Sequence, residues 1–313
     1  MPEAGRRRQV RIGMGRDKVG IVCEGRFAMR KKPAIVIPLD GSETALAAFG
    51  AAEAMTNMMG GVLHIVHVAE GMVPQEELLH RLHVPAKPSV KEFVLHQLKG
   101  EPVEAILAFA ASVGAAMLVM SSHGWTFNPE YLAGHVTLEM IRRAAIPVLL
   151  VRPGSRSVPG PDWKPMRMLV PLDGTPEASA GLNLMFDLLV DIARSTKAGI
   201  DVLHVAQPGQ RQPATAGSLT VPTYLDYPQY EWPGWAEEFR ERFMHAPPDV
   251  KLRLFHRDGE PAKVMLEFAT EKQEYMIVLT WRGHLEKKRA ELVKEVLRST
   301  DVPVLLLRSE PGS

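Results

Sequence analysis

The chain has 313 residues, of which 46% are apolar and 23% are charged, a composition typical of globular proteins and not of disordered ones. Its longest apolar stretches, such as 115–120 and 303–307, are too short to cross a bilayer. Residues 1–32 carry ten basic and three acidic side chains, a net charge of +7, and the remainder carries 27 basic and 33 acidic ones, a net charge of −6. Because duplex binding depends on phosphate neutralisation, this acidic body argues against a nucleic-acid partner.

The single cysteine, Cys23, cannot form an intrachain disulfide, and no apolar signal-peptide core follows the first arginines. We therefore expect a cytoplasmic protein with no membrane contact. Residues 1–32 are predicted to be a disordered basic tail. The alternative is that translation begins at Met29, which would leave the upstream segment outside the protein.

Along the rest of the chain, one series of signals occurs twice in the same order. Each series has an apolar run ending in Asp-Gly-Ser or Asp-Gly-Thr, a second run ending in His-Val-Ala, the sequence Gly-Glu-Pro, and a closing run rich in valine and leucine. These signals stand at 34–42, 62–69, 100–102 and 146–152 in the first series and at 168–175, 200–206, 259–261 and 302–308 in the second.

The apolar runs are continuous, as expected for parallel strands covered by helices on both faces. Windows at 44–59, 102–113 and 132–144 have apolar residues three and four apart and predict helices. Ser42 and Thr175 are predicted helix N-caps. This alternation of strands and helices predicts an α/β fold with two tandem doubly wound parallel-sheet domains.

Five segments are predicted from these patterns. The basic tail at 1–32 is followed by a first domain at 33–152, a linker rich in proline, glycine and serine at 153–165, a second domain at 166–308 and a C-terminal tail at 309–313. Aromatic residues gather within 208–235, inside a long crossover of the second domain. They either contact a protein partner or cover the core of their own domain.

The order of these signals resembles the universal stress protein family, and the resemblance covers 33–152 and 166–308. It implies the adenine-nucleotide α-hydrolase-like fold and a role in stress-response regulation. Members that bind ATP have a loop after the fourth strand with the form Gly, two residues, Gly, nine residues, Gly-Ser/Thr. The resemblance thus implies ATP or a related adenine nucleotide as a ligand, in the first domain only.

The first domain keeps the spacing of this loop but changes two of its residues. Ser121 stands at the first glycine position and His135 at the hydroxyl position. Glycines let backbone amides approach phosphates, and a helix N-terminus favours an anion. A histidine can also donate to phosphate, and does so best when protonated. The residues predicted to bind nucleotide are Pro38, Asp40, Ser121, His123, Gly124, Gly134, His135 and Val136.

Asp40 follows the first strand, and the resemblance places this acid near the adenine. Its alternative role is to stabilise the N-terminus of the following helix. The counterparts in the second domain are Asp173, Thr280 and Gly283. That loop has no further glycine before the last strand, and it is three residues shorter, since Gly283 to Pro303 spans 20 positions where Gly124 to Pro147 spans 23. We expect it to hold no triphosphate.

No metal site and no catalytic residue is assigned. His64 and His67 lie three apart on a predicted strand and face opposite sides, and His80 and His83 could share a helix face but lack a third ligand. No nucleophile elbow or recognisable triad occurs. A weak ATPase remains an alternative, as does an interaction module of this fold that binds no nucleotide.

The closing strands of the two domains suggest a further contact. Family relatives commonly form dimers by pairing their last strands. The resemblance therefore implies that 148–151 and 304–307 pair within this chain as a built-in pseudo-dimer, which would leave neither strand as an open sheet edge.

Overall fold

The structure is a computed structural model that describes residues 32–123, 133–155, 158–172, 187–206, 249–281 and 288–308. The expectations for 1–31, 208–235, Gly124, Asp173, Thr175 and Gly283 lie outside these residues.

The described strands form one ten-stranded sheet. Their spatial order is β3-β2-β1-β4-β5-β10-β9-β6-β7-β8. They are β1 (Ala34–Pro38), β2 (Val62–Val68), β3 (Phe93–Leu98), β4 (Ala115–Ser121), β5 (Val148–Val151), β6 (Arg167–Leu172), β7 (Gly199–Ala206), β8 (Lys251–Asp258), β9 (Met276–Trp281) and β10 (Val304–Arg308). Each half has the same parallel order, in which the first strand lies between the second and the fourth. The predicted tandem doubly wound α/β fold is confirmed.

Helices lie between these strands. They are α1 (Glu43–Leu46), α2 (Phe49–Met59), α3 (Gln75–Arg81), α4 (Pro102–Val113), α5 (His135–Arg143), α6 with described residues 187–196, α7 (Pro261–Glu271) and α8 (Lys288–Ser299). The helix predicted at 102–113 is confirmed. No helix in the described ranges is both long enough and apolar enough to span a membrane.

Two predicted helix windows differ from the structure. The window at 44–59 contains two helices, because the Ala48 N–H donates to the Ala45 carbonyl at 3.2 Å, a tightened bond that ends α1. The window at 132–144 yields a helix that begins only at His135, because Gly134 is an extended N-cap with φ −63° and ψ 156°. Ser42 is an N-cap as predicted, since its Oγ accepts from the Ala45 N–H at 3.1 Å.

Apolar layers cover both faces of the sheet, and each layer includes residues of both halves. Successive strand residues point to opposite faces. In β10, Leu305 and Leu307 therefore pack into one layer, and Val304 and Leu306 pack into the other. This burial on both faces explains why the strand sequences are continuously apolar.

The two halves meet where β5 and β10 pair antiparallel. Leu149 lies opposite Leu305, Leu150 opposite Val304 and Val148 opposite Leu306, and all six side chains are buried. The Arg152 guanidinium also donates to the Arg298 carbonyl across this junction. The predicted pairing of the closing strands within one chain is therefore observed.

Leu149→Ala and Leu305→Ala test this junction. Each variant should cost about 2–5 kcal/mol of unfolding free energy, because each side chain is fully buried. Since the two residues are directly paired, the double variant should depart from the sum of the single variants by roughly 0.5–3 kcal/mol in urea unfolding. Leu63→Ala combined with Leu305→Ala is the control, and this distant pair should be additive. Additive behaviour of Leu149 with Leu305 would contradict the pairing.

Part of the predicted linker packs against the first half of the chain. A Cβ on Gly50, in α2, would lie 2.3 Å from the Pro159 carbonyl oxygen and 2.8 Å from the Gly160 Cα. Trp163 packs against the apolar layer that contains α2. The close approach of these two backbones therefore requires glycine at position 50.

Gly50→Ala tests this contact. Glycine to alanine inside a helix normally stabilises by about 1 kcal/mol, but here the added methyl would overlap backbone atoms. We expect a net loss of about 1–3 kcal/mol in urea unfolding. Gly160→Ala is the control, since a Cβ there has no neighbour within 4 Å. A stabilised Gly50→Ala variant would mean that the linker does not pack on α2.

Candidate functional site

The candidate site lies at the carboxyl ends of β1 and β4 in the first half. The chain runs from β1 outward to β2 and β3 on one side, and β4 and β5 lie on the other. β1 and β4 are parallel neighbours, with Val36 opposite Leu118. Their carboxyl ends therefore flank a topological switch point, where open α/β sheets bind ligands.

A short turn after β1 holds Asp40 in place. The Asp40 Oδ1 accepts from the Ser42 N–H at 2.9 Å and from the Ser42 hydroxyl at 2.6 Å. Gly41 between them has φ 89°, a left-handed conformation that glycine adopts without strain. Asp40 is exposed, whereas Ser42 is buried beneath the N-terminus of α1. The turn thus presents an oriented carboxylate at the candidate site.

Polar residues at the end of β4 form a buried chain of hydrogen bonds. Ser121 is the last residue of β4 and lies in the strand, where the family loop begins. Its hydroxyl accepts from the His123 N–H at 3.3 Å. The Ser122 Oγ and the His123 Nδ1 are hydrogen-bonded at 2.9 Å. All three side chains are buried at 4–5% exposure, so they line the base of the site and not its surface.

The N-terminus of α5 is attached to the end of β4 by two hydrogen bonds. The Gly134 N–H donates to the Ser122 carbonyl at 2.8 Å. The buried Thr137 hydroxyl donates to the Ser121 carbonyl at 3.1 Å. Gly134, the N-cap, has no side chain to occupy the amides of the first helical turn. Those amides and the helix dipole therefore favour an anion.

The structure brings together most of the predicted site residues that it describes. Pro38 is the half-buried last residue of β1, His135 is the exposed first residue of α5, and Val136 is half-buried beside it. Ser122 and Thr137 also belong to this edge, and the sequence prediction omitted them. In the sequence, Ser122 could have been found from the polar run that directly follows the apolar strand. Thr137 could have been found as a hydroxyl residue two positions after the first residue of the following helix.

In the second half, Thr280 is the one predicted site residue that lies within the described part of the chain. Thr280 is half-buried near the end of β9 and pairs with Leu307 of β10. His204 and His256 lie opposite each other on β7 and β8, with stacked rings 5.7 Å apart.

The histidine predictions have mixed outcomes. The His64 Nδ1 lies 3.0 Å from the His96 Nε2, whereas the His67 Nδ1 bonds the Leu39 carbonyl at 2.8 Å, so His64 and His67 have separate partners. Burial, with a smaller contribution from His64, lowers the pKa of His96. The shared helix face of His80 and His83 is wrong, because α3 ends at Arg81 and His83 has φ 54°.

Within the ranges that the structure describes, no group of three or more His, Cys, Asp and Glu side chains could hold a metal ion.

Thr137→Val tests the attachment of α5 to β4. Removing the hydroxyl leaves the Ser121 carbonyl without this donor and should cost about 1–3 kcal/mol in urea unfolding. Thr137→Ser keeps the hydroxyl and should lose less than about 1 kcal/mol. Equal losses in the two variants would mean that the methyl group, and not the hydrogen bond, matters here.

The fold and this edge define a class of tandem doubly wound α/β proteins with a candidate anion site at the switch point of the first half. The universal stress protein family matches residues 33–152 and 165–308. These two matches span most of the chain, and the chain therefore belongs to the universal stress protein family.

Individual proteins are also similar to this chain. A universal stress protein of Mycobacterium tuberculosis is 24% identical over 302 residues, which cover 89% of this chain and 98% of that protein. The crystal structure of a protein of unknown function from Pseudomonas aeruginosa PAO1 shares the fold, with a TM-score of 0.63 and 15% identity over 89% of this chain and 93% of that one. A universal stress protein solved in complex with cAMP matches 39% of this chain and 98% of its own, with 24% identity and a TM-score of 0.33.

Proposed function

We propose that the first half of this universal stress protein binds ATP or a related adenine nucleotide as a regulatory ligand. The observation that carries the proposal is the open N-terminus of α5, fastened to the end of β4 beside the switch point. A ligand there would regulate a stress response. The single cysteine supports the cytoplasm as the compartment, because disulfides are rare there.

The phosphate end of the ligand is assigned to α5. Its first-turn amides lack a side-chain cap, and anions are favoured at helix N-termini. The exposed His135 is the first helical residue and stands where it could donate to a phosphate oxygen. Gly134 adopts an extended conformation that other residues also reach. On this proposal, glycine at this position leaves the backbone amides open to a phosphate.

The adenine end is assigned to the turn after β1. Asp40 is exposed there, and two hydrogen bonds from Ser42 orient its carboxylate. A carboxylate accepts hydrogen bonds from amino and hydroxyl groups, both of which an adenine nucleoside offers. We expect one site per chain, because the loop of the second half is shorter and has fewer glycines.

Gly134→Asp separates ligand binding from folding. Aspartate is a favourable N-cap residue, so α5 should be at least as stable as before. Its carboxylate would occupy the first-turn amides and repel phosphate, and ATP affinity should fall by about tenfold or more, equivalent to about 1.4 kcal/mol. Isothermal titration calorimetry with ATP measures this change, and thermal unfolding checks the fold.

Gly134→Asn is the matched control, because it offers a similar cap without the charge and should lose less affinity. If the wild-type chain gives no binding heat with ATP, the proposal is wrong. If Gly134→Asp binds ATP as tightly as the wild type, α5 is not the phosphate site.

One observation favours the alternative of an interaction module that binds no nucleotide. Ser121, Ser122 and His123 bond to one another and are buried, so these side chains are already used within the protein. On this alternative, the chain would bind neither ATP nor ADP, and Gly134→Asp would leave ligand behaviour unchanged. The same titrations therefore distinguish the two functions.

A further inference from the structure

The second half of the chain buries a charged cluster at the amino ends of its parallel strands. Asp201 is the third residue of β7 and is fully buried. Arg253 lies opposite it in β8. Glu274 stands two residues before β9, and Arg167 is the first residue of β6. All four residues therefore lie near the amino ends of these parallel strands.

Asp201 has a direct counter-charge. The Arg253 Nε donates to one carboxylate oxygen of Asp201 at 2.7 Å, and its Nη2 donates to the other at 2.7 Å. A buried charge is tolerated when it is paired and hydrogen-bonded in this way. Both carboxyl oxygens of Asp201 therefore accept a hydrogen bond from Arg253.

Glu274 has no such donor. Its side chain is 4% exposed, and neither carboxyl oxygen receives a hydrogen bond from the described residues. It is close enough to Asp201 for the two charges to interact, but two carboxylates only accept hydrogen bonds. A proton on Glu274 would convert this contact into an O–H···O⁻ bond, which is among the stronger protein hydrogen bonds.

The electrostatic surroundings agree with a retained proton. Burial, followed by the charge of Asp201, raises the pKa of Glu274 to about 8, and Arg167 and Arg253 oppose this shift. The Lys272 ammonium, on the same turn, pairs with Glu271 at 2.6 Å. The charged groups that face Glu274 thus come from β6, β7 and β8.

The first half has no equivalent cluster, although it has the same fold. Glu274 lies six residues before Thr280, and the residue six before Ser121 is Ala115. Asp201 lies three residues before His204, and the residue three before His67 is His64. The fold therefore does not require these carboxyl groups, and their burial calls for another reason.

The turn between α7 and β9, residues 272–275, depends on the residues around this cluster. The Arg167 Nη1 donates to the Lys272 carbonyl at 2.6 Å, and the Tyr275 N–H donates to the Arg167 carbonyl at 3.0 Å. Gln273 has φ 53°, a left-handed conformation that is unfavourable for a residue with a side chain. Contacts with β6 therefore hold a strained turn.

We propose that Glu274 and Asp201 share one proton, and that its loss in mildly alkaline solution loosens the 272–275 turn, which makes the second half responsive to pH. After proton loss, two carboxylates share one buried site, and Arg167 is drawn from the Lys272 carbonyl towards Glu274. The proton passes to solvent, and no other group changes its covalent state. This inference concerns the second half and does not depend on nucleotide binding by the first.

The sign of the pH effect follows from proton linkage. An unfolded chain releases the Glu274 proton near pH 4.5, whereas the native protein keeps it up to about pH 8. Between these values the native state binds more protons, so stability falls as pH rises. This one group should reduce the folding equilibrium constant by up to about tenfold per pH unit within that window, and by little above it.

Glu274→Gln tests the shared proton, because glutamine donates a hydrogen bond to Asp201 at every pH. Urea unfolding of the full chain across this window should show a decline in stability for the wild type that is absent or much smaller in the variant. Glu267→Gln is the control, because Glu267 is an exposed residue of α7 and should keep the wild-type decline. If Glu274→Gln and the wild type decline in parallel, the proposal is overturned.

Two measurements on the folded protein need no unfolding. Carbon-13 NMR of the glutamate carboxyl groups should show one signal titrating near pH 8, which is absent from Glu274→Gln; titration of that group near 4.5 would overturn the shared proton. Hydrogen exchange at the Tyr275 amide should be several-fold faster in the wild type than in Glu274→Gln above the titration midpoint, and equal below it. If the wild type and Glu274→Gln exchange this amide at equal rates both above and below the midpoint, the proposed loosening of the turn is overturned.

Discussion

The antiparallel pairing of β5 with β10 is the interaction on which this architecture depends. Without it, each half would end in a short, largely apolar strand with an unpaired edge, such as Val148–Val151, and exposed edges of this kind promote association. With it, the closing strands of the two halves pair, and each apolar layer continues from one half into the other. The two copies are therefore parts of one sheet.

A shared sheet leaves the two halves free to differ at their loops and strand ends. In the first half, the carboxyl edge presents Asp40 and the open N-terminus of α5, which suit an anionic nucleotide. In the second half, the unusual chemistry lies at the amino edge, where Glu274 is buried against Asp201. The two features lie in different halves of the chain, so the proposed ligand site and the proposed response to protons use different copies of the fold.

Much of this fold could be predicted from the sequence because its strands are short apolar runs and the same short motifs mark the ends of strands and the starts of helices. Asp-Gly-Ser marked the end of the first strand, and Gly-Glu-Pro marked the start of α4. Contacts between distant residues left no local signal. Nothing near position 50 indicates that Pro159 will approach it, and Asp201 and Arg253 are 52 residues apart. At the site, Gly134 and His135 were predicted from loop spacing, but the buried bonds of Ser122 and Thr137 depend on how α5 meets β4.

Native mass spectrometry of the full chain, purified without added nucleotide and then titrated with ATP, is the most direct test of nucleotide binding, because it counts ligands on each intact molecule. A single adenine nucleotide per chain is expected at saturation. A chain that stays free of nucleotide throughout the titration would contradict the assignment of a nucleotide site to the first half. Saturation at two nucleotides per chain would contradict the functional difference between the halves.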